Sequence, residues 1–177
     1  PTYRFERKRR LLNATIVWHG MPGREELEMI NYEQLNEENH QIVELSNILS
    51  YLFQDRSMCD TDTCCSLFYR YIDKVNQHME LVDNNLYKDL LAHPENDIKN
   101  VARNFMSGGQ EIKHILNRYE KKWCRKMKQQ ILVGPKHEQF LKETEEMFAL
   151  ILDRIQRETE RLYPLVREIT GDSRHAA

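Results

Sequence analysis

The feature that most constrains this chain is the recurrence of apolar residues three and four apart along four long segments. In the first, from about Glu25 or Asn31 to Gln54, residues Leu35, Ile42, Leu45, Leu49 and Leu52 fall on one helix face. The second spans about 62 to 92, with Asp60 and Asp62 as candidate N-caps and a stripe through Phe68, Ile72, Val75, Met79, Val82, Leu86 and Leu90. His93-Pro94 ends it, and Pro94 suits the first turn of the third, which carries Ile98, Val101, Phe105, Ile112, Leu116, Tyr119 and Trp123. Gly134-Pro135 restarts the chain for a fourth helix with Phe140, Thr144, Met147, Phe148, Ile151, Ile155, Leu162, Val166 and Ile169. Amphipathic rods must bury their stripes against one another, and short connections make neighbours antiparallel. The expected fold is therefore all-α, an antiparallel up-down-up-down four-helix bundle with an N-terminal extension.

Residues 1–24 read as a separate basic and apolar extension: Arg4, Arg7, Lys8, Arg9 and Arg10 mix with Tyr3 and Phe5, followed by Leu11, Leu12, Ile16, Val17 and Trp18. Its apolar half is expected to dock on the bundle, which occupies 25–170 and leaves 171–177 as a disordered tail. No apolar run approaches the ~20 residues of a membrane span, and the basic N-terminus lacks the apolar core of a secretory signal. The four cysteines, Cys59, Cys64, Cys65 and Cys124, are then reduced thiols of a cytoplasmic protein, incidental or buried, with a redox switch at the first three as the sharper alternative. A net charge of −2 predicts no strong attraction to nucleic acid or to an acidic membrane. Lys121-Lys122, Arg125-Lys126 and Lys128 read as solvated surface. A protein partner, or a homodimer through the apolar part of the extension, is the association the pattern leaves open. No phosphate loop or dinucleotide motif is present, and "SGGQE" has no strand before it, so the chain is not read as an enzyme.

Three segments, "LNEENHQIVELSNIL", "HMELVDNNLYKDLL" and "LILDRIQRETERLYPLV", resemble in order and spacing the helices of the hemerythrin-like, HHE cation-binding family. The resemblance covers about residues 30 to 170. It implies a bundle that holds non-haem iron between its helices through histidines and carboxylates, in proteins that sense or store oxygen, iron or redox state. His40 and His78 match family ligands, and Glu158 matches the acid before Leu-Tyr-Pro. Val82 stands where the second helix usually has Glu, and Arg154 where the fourth often has His. The resemblance thus implies a cation-binding sensing or regulatory domain with an incomplete metal site. The alternative is a metal-free scaffold or interaction domain that keeps the fold alone.

Helix geometry tests the ligand set, because each residue turns ~100° and rises ~1.5 Å. His78 lies at the edge of its stripe, roughly 75° from the centre, and Glu158 lies within about 40° of the centre of its own. A core-facing carboxylate requires a metal or a paired charge, and Arg154, four residues earlier, can supply that pairing unaided. Counting heights places His78 level with Met106 to Gln110 of the third helix and with the Leu150 to Arg154 turn of the fourth. His40 points away from its stripe while Glu38 points inward, so Glu38 is a weaker candidate ligand. Glu111 is the one donor the third helix offers near this level. His114 faces solvent, His137 belongs at the Trp123 end, and Gly108-Gly109 leave space beside His78 for water, a small ligand or a close neighbour. Iron, zinc or manganese would each suit a histidine and a carboxylate.

Overall fold

A computed structural model describes residues 32–171. The expected extension at 1–24, the start of the first helix before Tyr32 and the tail at 172–177 lie outside the described residues. The described residues are overwhelmingly helical, and the all-α class holds. Helix α1 spans Tyr32–Phe53, α2 Asp62–Asn85, α3 Tyr87–Ala92, α4 Asn96–Trp123, α5 His137–Arg157 and α6 Tyr163–Thr170. A π-helical turn, Glu158–Leu162, joins α5 to α6 without a break. Helix α1 packs on α2 and α5, α4 packs on α5 and more lightly on α2, and the short α3 packs on α4 and α6.

The boundaries differ from the sequence reading in four places. Thr61, rather than Asp60 or Asp62, caps α2, its hydroxyl accepting from the Cys64 amide. The second helix does not run unbroken to 92, because Leu86 interrupts it and α3 restarts as a separate six-residue segment. Pro94 lies just ahead of α4, whose N-cap is Glu95. Between α4 and α5 the chain forms a small antiparallel hairpin, with β1 Cys124–Arg125 paired to β2 Gln130–Ile131 across a 3-10 turn, Lys126–Lys128. Gln129, at φ 47, takes the left-handed conformation that closes this turn.

Two apolar clusters fill the interior. One holds Ile42, Leu49, Phe53, Phe68, Tyr71, Met79, Ile112, Leu116, Trp123, Phe140, Phe148 and Ile155 among others, with Phe140 edge-on to both Phe53 and Trp123. The other holds Leu35, Val82, Leu86, Tyr87, Leu90, Ala102, Leu162, Tyr163 and Val166. Along each long helix the chain passes from one cluster to the other at a polar or glycine position. Asn39 lies between Leu35 and Ile42, His78 between Val75 and Val82, Gly109 between Ala102 and Ile112, and Glu158 between Ile155 and Leu162. The interior is therefore crossed by one polar layer.

Candidate functional site: a buried polar layer

Glu158 is the centre of this layer and is completely buried. The π turn begins at Glu158, and π turns concentrate where a helix carries a functional or constrained side chain. One carboxylate oxygen, Oε2, lies 2.8 Å from His78 Nε2. The other, Oε1, accepts from Arg154 Nε one helical turn earlier. An ionised carboxylate only accepts, so His78 Nε2 is the donor of this contact. The tyrosine hydroxyl of Tyr163 donates to Oε2 over a longer 3.5 Å, and Asn39 Nδ2 donates in turn to that hydroxyl at 3.2 Å.

Arg154 is only 3% exposed and each of its three side-chain nitrogens donates a hydrogen bond. Nη1 donates to the Phe105 carbonyl and Nη2 to the Tyr87 hydroxyl, both at 2.7 Å, and the group lies 4.8 Å from the Phe105 ring centroid. Burial opposes its charge, but Glu158 and Tyr87 together more than offset this, and the guanidinium is held above its ordinary pKa. Burial likewise pushes the Tyr87 phenol up to about 12, with Arg154 pulling the other way, so the hydroxyl is a neutral acceptor for the guanidinium. The Tyr163 phenol is raised by burial and then by the Glu158 charge.

The space predicted beside Gly108-Gly109 is taken up by Arg154. A Cβ on Gly108 would lie 3.5 Å from Arg154 Nη1, and one on Gly109 would lie 3.7 Å from Nη2 and 3.3 Å from Met79 Cε. Both glycines line the guanidinium, whose Nη1 donates to the main-chain carbonyl of Phe105 on the same helix.

His78 and Glu158 thus meet, as do Glu158 and Arg154. Glu38, partly buried, sets Oε2 3.9 Å from His78 Nδ1, and neither atom has a hydrogen-bond partner among the described residues. His40 does not join them. It is exposed, and the preceding residue, Asn39, takes the inward direction because one helical step rotates a side chain by ~100°. Glu111 is also exposed and does not reach this layer. His114 is exposed, and His137 lies at the far end, its Nε2 2.7 Å from the Phe53 carbonyl. Among the described residues no three His, Cys, Asp or Glu side chains are grouped as a metal would require.

No family model, curated protein or solved structure matches this chain. The polar layer must be interpreted from its own chemistry. Sequence reasoning did not assign Tyr87, Tyr163 and Asn39 to it. A signal existed, because Leu86-Tyr87 and Leu162-Tyr163 repeat the same pair at the two helix ends that flank the layer.

The cysteines are all free thiols, with Cys59, Cys64 and Cys65 buried. Burial raises the Cys59 thiol to about 11 and the Cys64 thiol to about 12, so both are protonated and poor nucleophiles at neutral pH. Cys59 Sγ lies within reach of the Phe53 and Asp55 carbonyls, and Cys65 Sγ within reach of the Cys59 carbonyl, so these thiols tie the α1–α2 turn together.

Proposed function

We propose that this chain is a helical regulatory or protein-interaction module, an up-down-up-down four-helix bundle organised around a metal-free ion network. The hemerythrin-like likeness is part of the same proposal and extends to the arrangement of the helices. Arg154 carries the reading: its guanidinium occupies Glu158 Oε1 while His78 engages Oε2, so the carboxylate's binding capacity is directed to protein partners. A cation entering at Glu158 would have to displace a buried guanidinium or face its charge. The packing of α1 between α2 and α5, and of α4 against α5 and α2, supports the bundle arrangement.

A second reading, a weak mononuclear cation site, is favoured by one observation. His78 Nδ1 and Glu38 Oε2 face each other across 3.9 Å, and both are unpartnered among the described residues. Two donors give little affinity or selectivity among iron, zinc and manganese.

Elemental analysis of protein purified without added metal decides between the two. The metal-free reading expects less than about a tenth of an equivalent of any transition metal, and no change on His78→Ala. Near-stoichiometric metal that is lost in His78→Ala would overturn it and leave the cation site.

A further inference from the structure

The chain as a whole carries a formal charge of −2, yet the fold gathers positive charge on one hairpin. Between Arg118 and Lys136 lie seven cationic side chains and a single acid, Glu120. Glu120 is buried and is taken up by Lys126. Lys122 is held by Glu143 at 2.5 Å and lies over the Trp123 ring. Arg118, Lys121, Arg125, Lys128 and Lys136 are exposed and have no ion pair among the described residues.

The hairpin is anchored at its base and bare at its tip. Ile131 and Val133 are buried in the larger apolar cluster, the Leu132 amide donates to the Trp123 carbonyl at 2.7 Å, and the Tyr69 hydroxyl donates to the Gln130 carbonyl at 3.3 Å. Met127, at the apex between Lys126 and Lys128, is 99% exposed. Beside the turn, a polar groove of about 320 Å³ runs between Gln129 and α2. It is lined by Arg70 and Lys74, one helical turn apart, and by one acid, Asp73.

We propose that this tip, Arg125 to Gln129 with Arg70 and Lys74 beside it, is a peripheral docking surface for an anionic phospholipid membrane. The argument is the combination of charge and shape. Clustered lysines and arginines attract a surface of phosphates whatever the net charge of the molecule, because the interaction decays within a Debye length. A methionine on a convex apex offers no groove to a folded partner. A soft interface accepts it: the thioether sinks below the phosphates while the neighbouring exposed cations Arg125 and Lys128 stay among them. A nucleic acid would engage the same cations but leave Met127 without an apolar environment. The groove supplies Arg70 and Lys74 to a headgroup phosphate next to the inserted tip.

The test is co-sedimentation of the full chain with phosphatidylcholine vesicles, and with vesicles containing about one third phosphatidylserine. Binding is expected only to the anionic vesicles and is expected to weaken about tenfold at high salt. Met127→Asp, Lys128→Glu and the pair Arg70→Glu, Lys74→Glu are each expected to reduce partitioning about tenfold or more, with thermal melts recorded alongside to show that each variant is folded. Lys142→Glu, a charge reversal on exposed α5, is the control and should change it less than about twofold. The proposal is overturned by equal or absent binding to both vesicle types, or by Met127→Asp binding as well as the parent. Retention of the chain by an oligonucleotide, or salt-sensitive self-association through the tip, with no vesicle preference, overturns it as well.

Discussion

Replacing Arg154 by methionine isolates what the polar layer contributes. The substitution keeps most of the aliphatic stem and removes only the guanidinium, whose side chain is 4% exposed against a Glu158 that is 0% exposed. Glu158 then retains His78 at 2.8 Å and a long contact to Tyr163, and has lost its guanidinium counter-ion. The Phe105 carbonyl and the Tyr87 hydroxyl lose their 2.7 Å donor at the same time. Breaking one side of a buried ion pair costs about 3–5 kcal/mol, most of it the stranded charge. For a chain of this length each kcal/mol moves the melting midpoint about 2–4 °C, so Arg154→Met should lower it by about 6–20 °C. Glu158→Gln, which strands the cation instead, should lose a comparable amount. The double variant buries neither charge and should recover more than half of the single-variant loss, a coupling of about 2 kcal/mol or more. Urea unfolding followed by far-UV circular dichroism, with calorimetry at neutral pH, measures all three. A loss under about 1 kcal/mol in Arg154→Met, or a double variant no more stable than the single, would show that this network does not hold the interior together.

Gly108→Ala should stabilise the protein by about 0.5–1 kcal/mol, since a helix-interior glycine is replaced and the new methyl meets Arg154 Nη1 at an ordinary 3.5 Å. Gly109→Ala should gain less, its Cβ lying 3.3 Å from the mobile end of Met79, and a fall in the urea midpoint of Gly108→Ala would contradict the packing described. The raised thiols set an alkaline limit. Cys59 at about 11 and Cys64 at about 12 sit above an ordinary value of 9.0, so the folded state holds protons that the unfolded state releases. The stability this confers is complete below about pH 9 and is lost as the pH rises through 11 to 12. Urea midpoints should therefore fall between pH 8 and pH 10 more steeply in the parent than in a Cys59→Ala, Cys64→Ala variant. Parallel slopes would refute that assignment. A thiol reagent at neutral pH should reach the buried Cys59, Cys64 and Cys65 only after denaturant is added.

The helical stripes were legible because burial imposes a period that local sequence must obey. Leu35, Ile42, Leu45 and Leu49 had to share a face and do. The pairing of Arg154 with Glu158 was legible for the same reason, since a spacing of four fixes neighbours before any tertiary contact exists. What the pattern could not resolve was rotation by a single residue. A stripe defines its centre only to within a few tens of degrees, and one step of ~100° decides that Asn39 enters the interior while His40 stays out. The hairpin was illegible for a different reason. "CRKMKQQI" has no strand periodicity, and its two-residue strands exist because Ile131 and Val133 fill the core and Tyr69 and Trp123 receive its backbone.

The glycine pair belongs to neither case. Gly108 and Gly109 read as unfilled space, but that space is occupied by the Arg154 guanidinium, which is carried on a stem one methylene longer than glutamate's and spans from α5 to a main-chain carbonyl of α4. Only a residue with a long stem and donors on several sides satisfies Glu158, Tyr87 and Phe105 together. Lysine at 154 would bring a single ammonium and could not present that planar fork. Arginine at this position and the close approach of α4 are therefore coupled, because the guanidinium that holds Glu158 is itself held by the Phe105 carbonyl of α4.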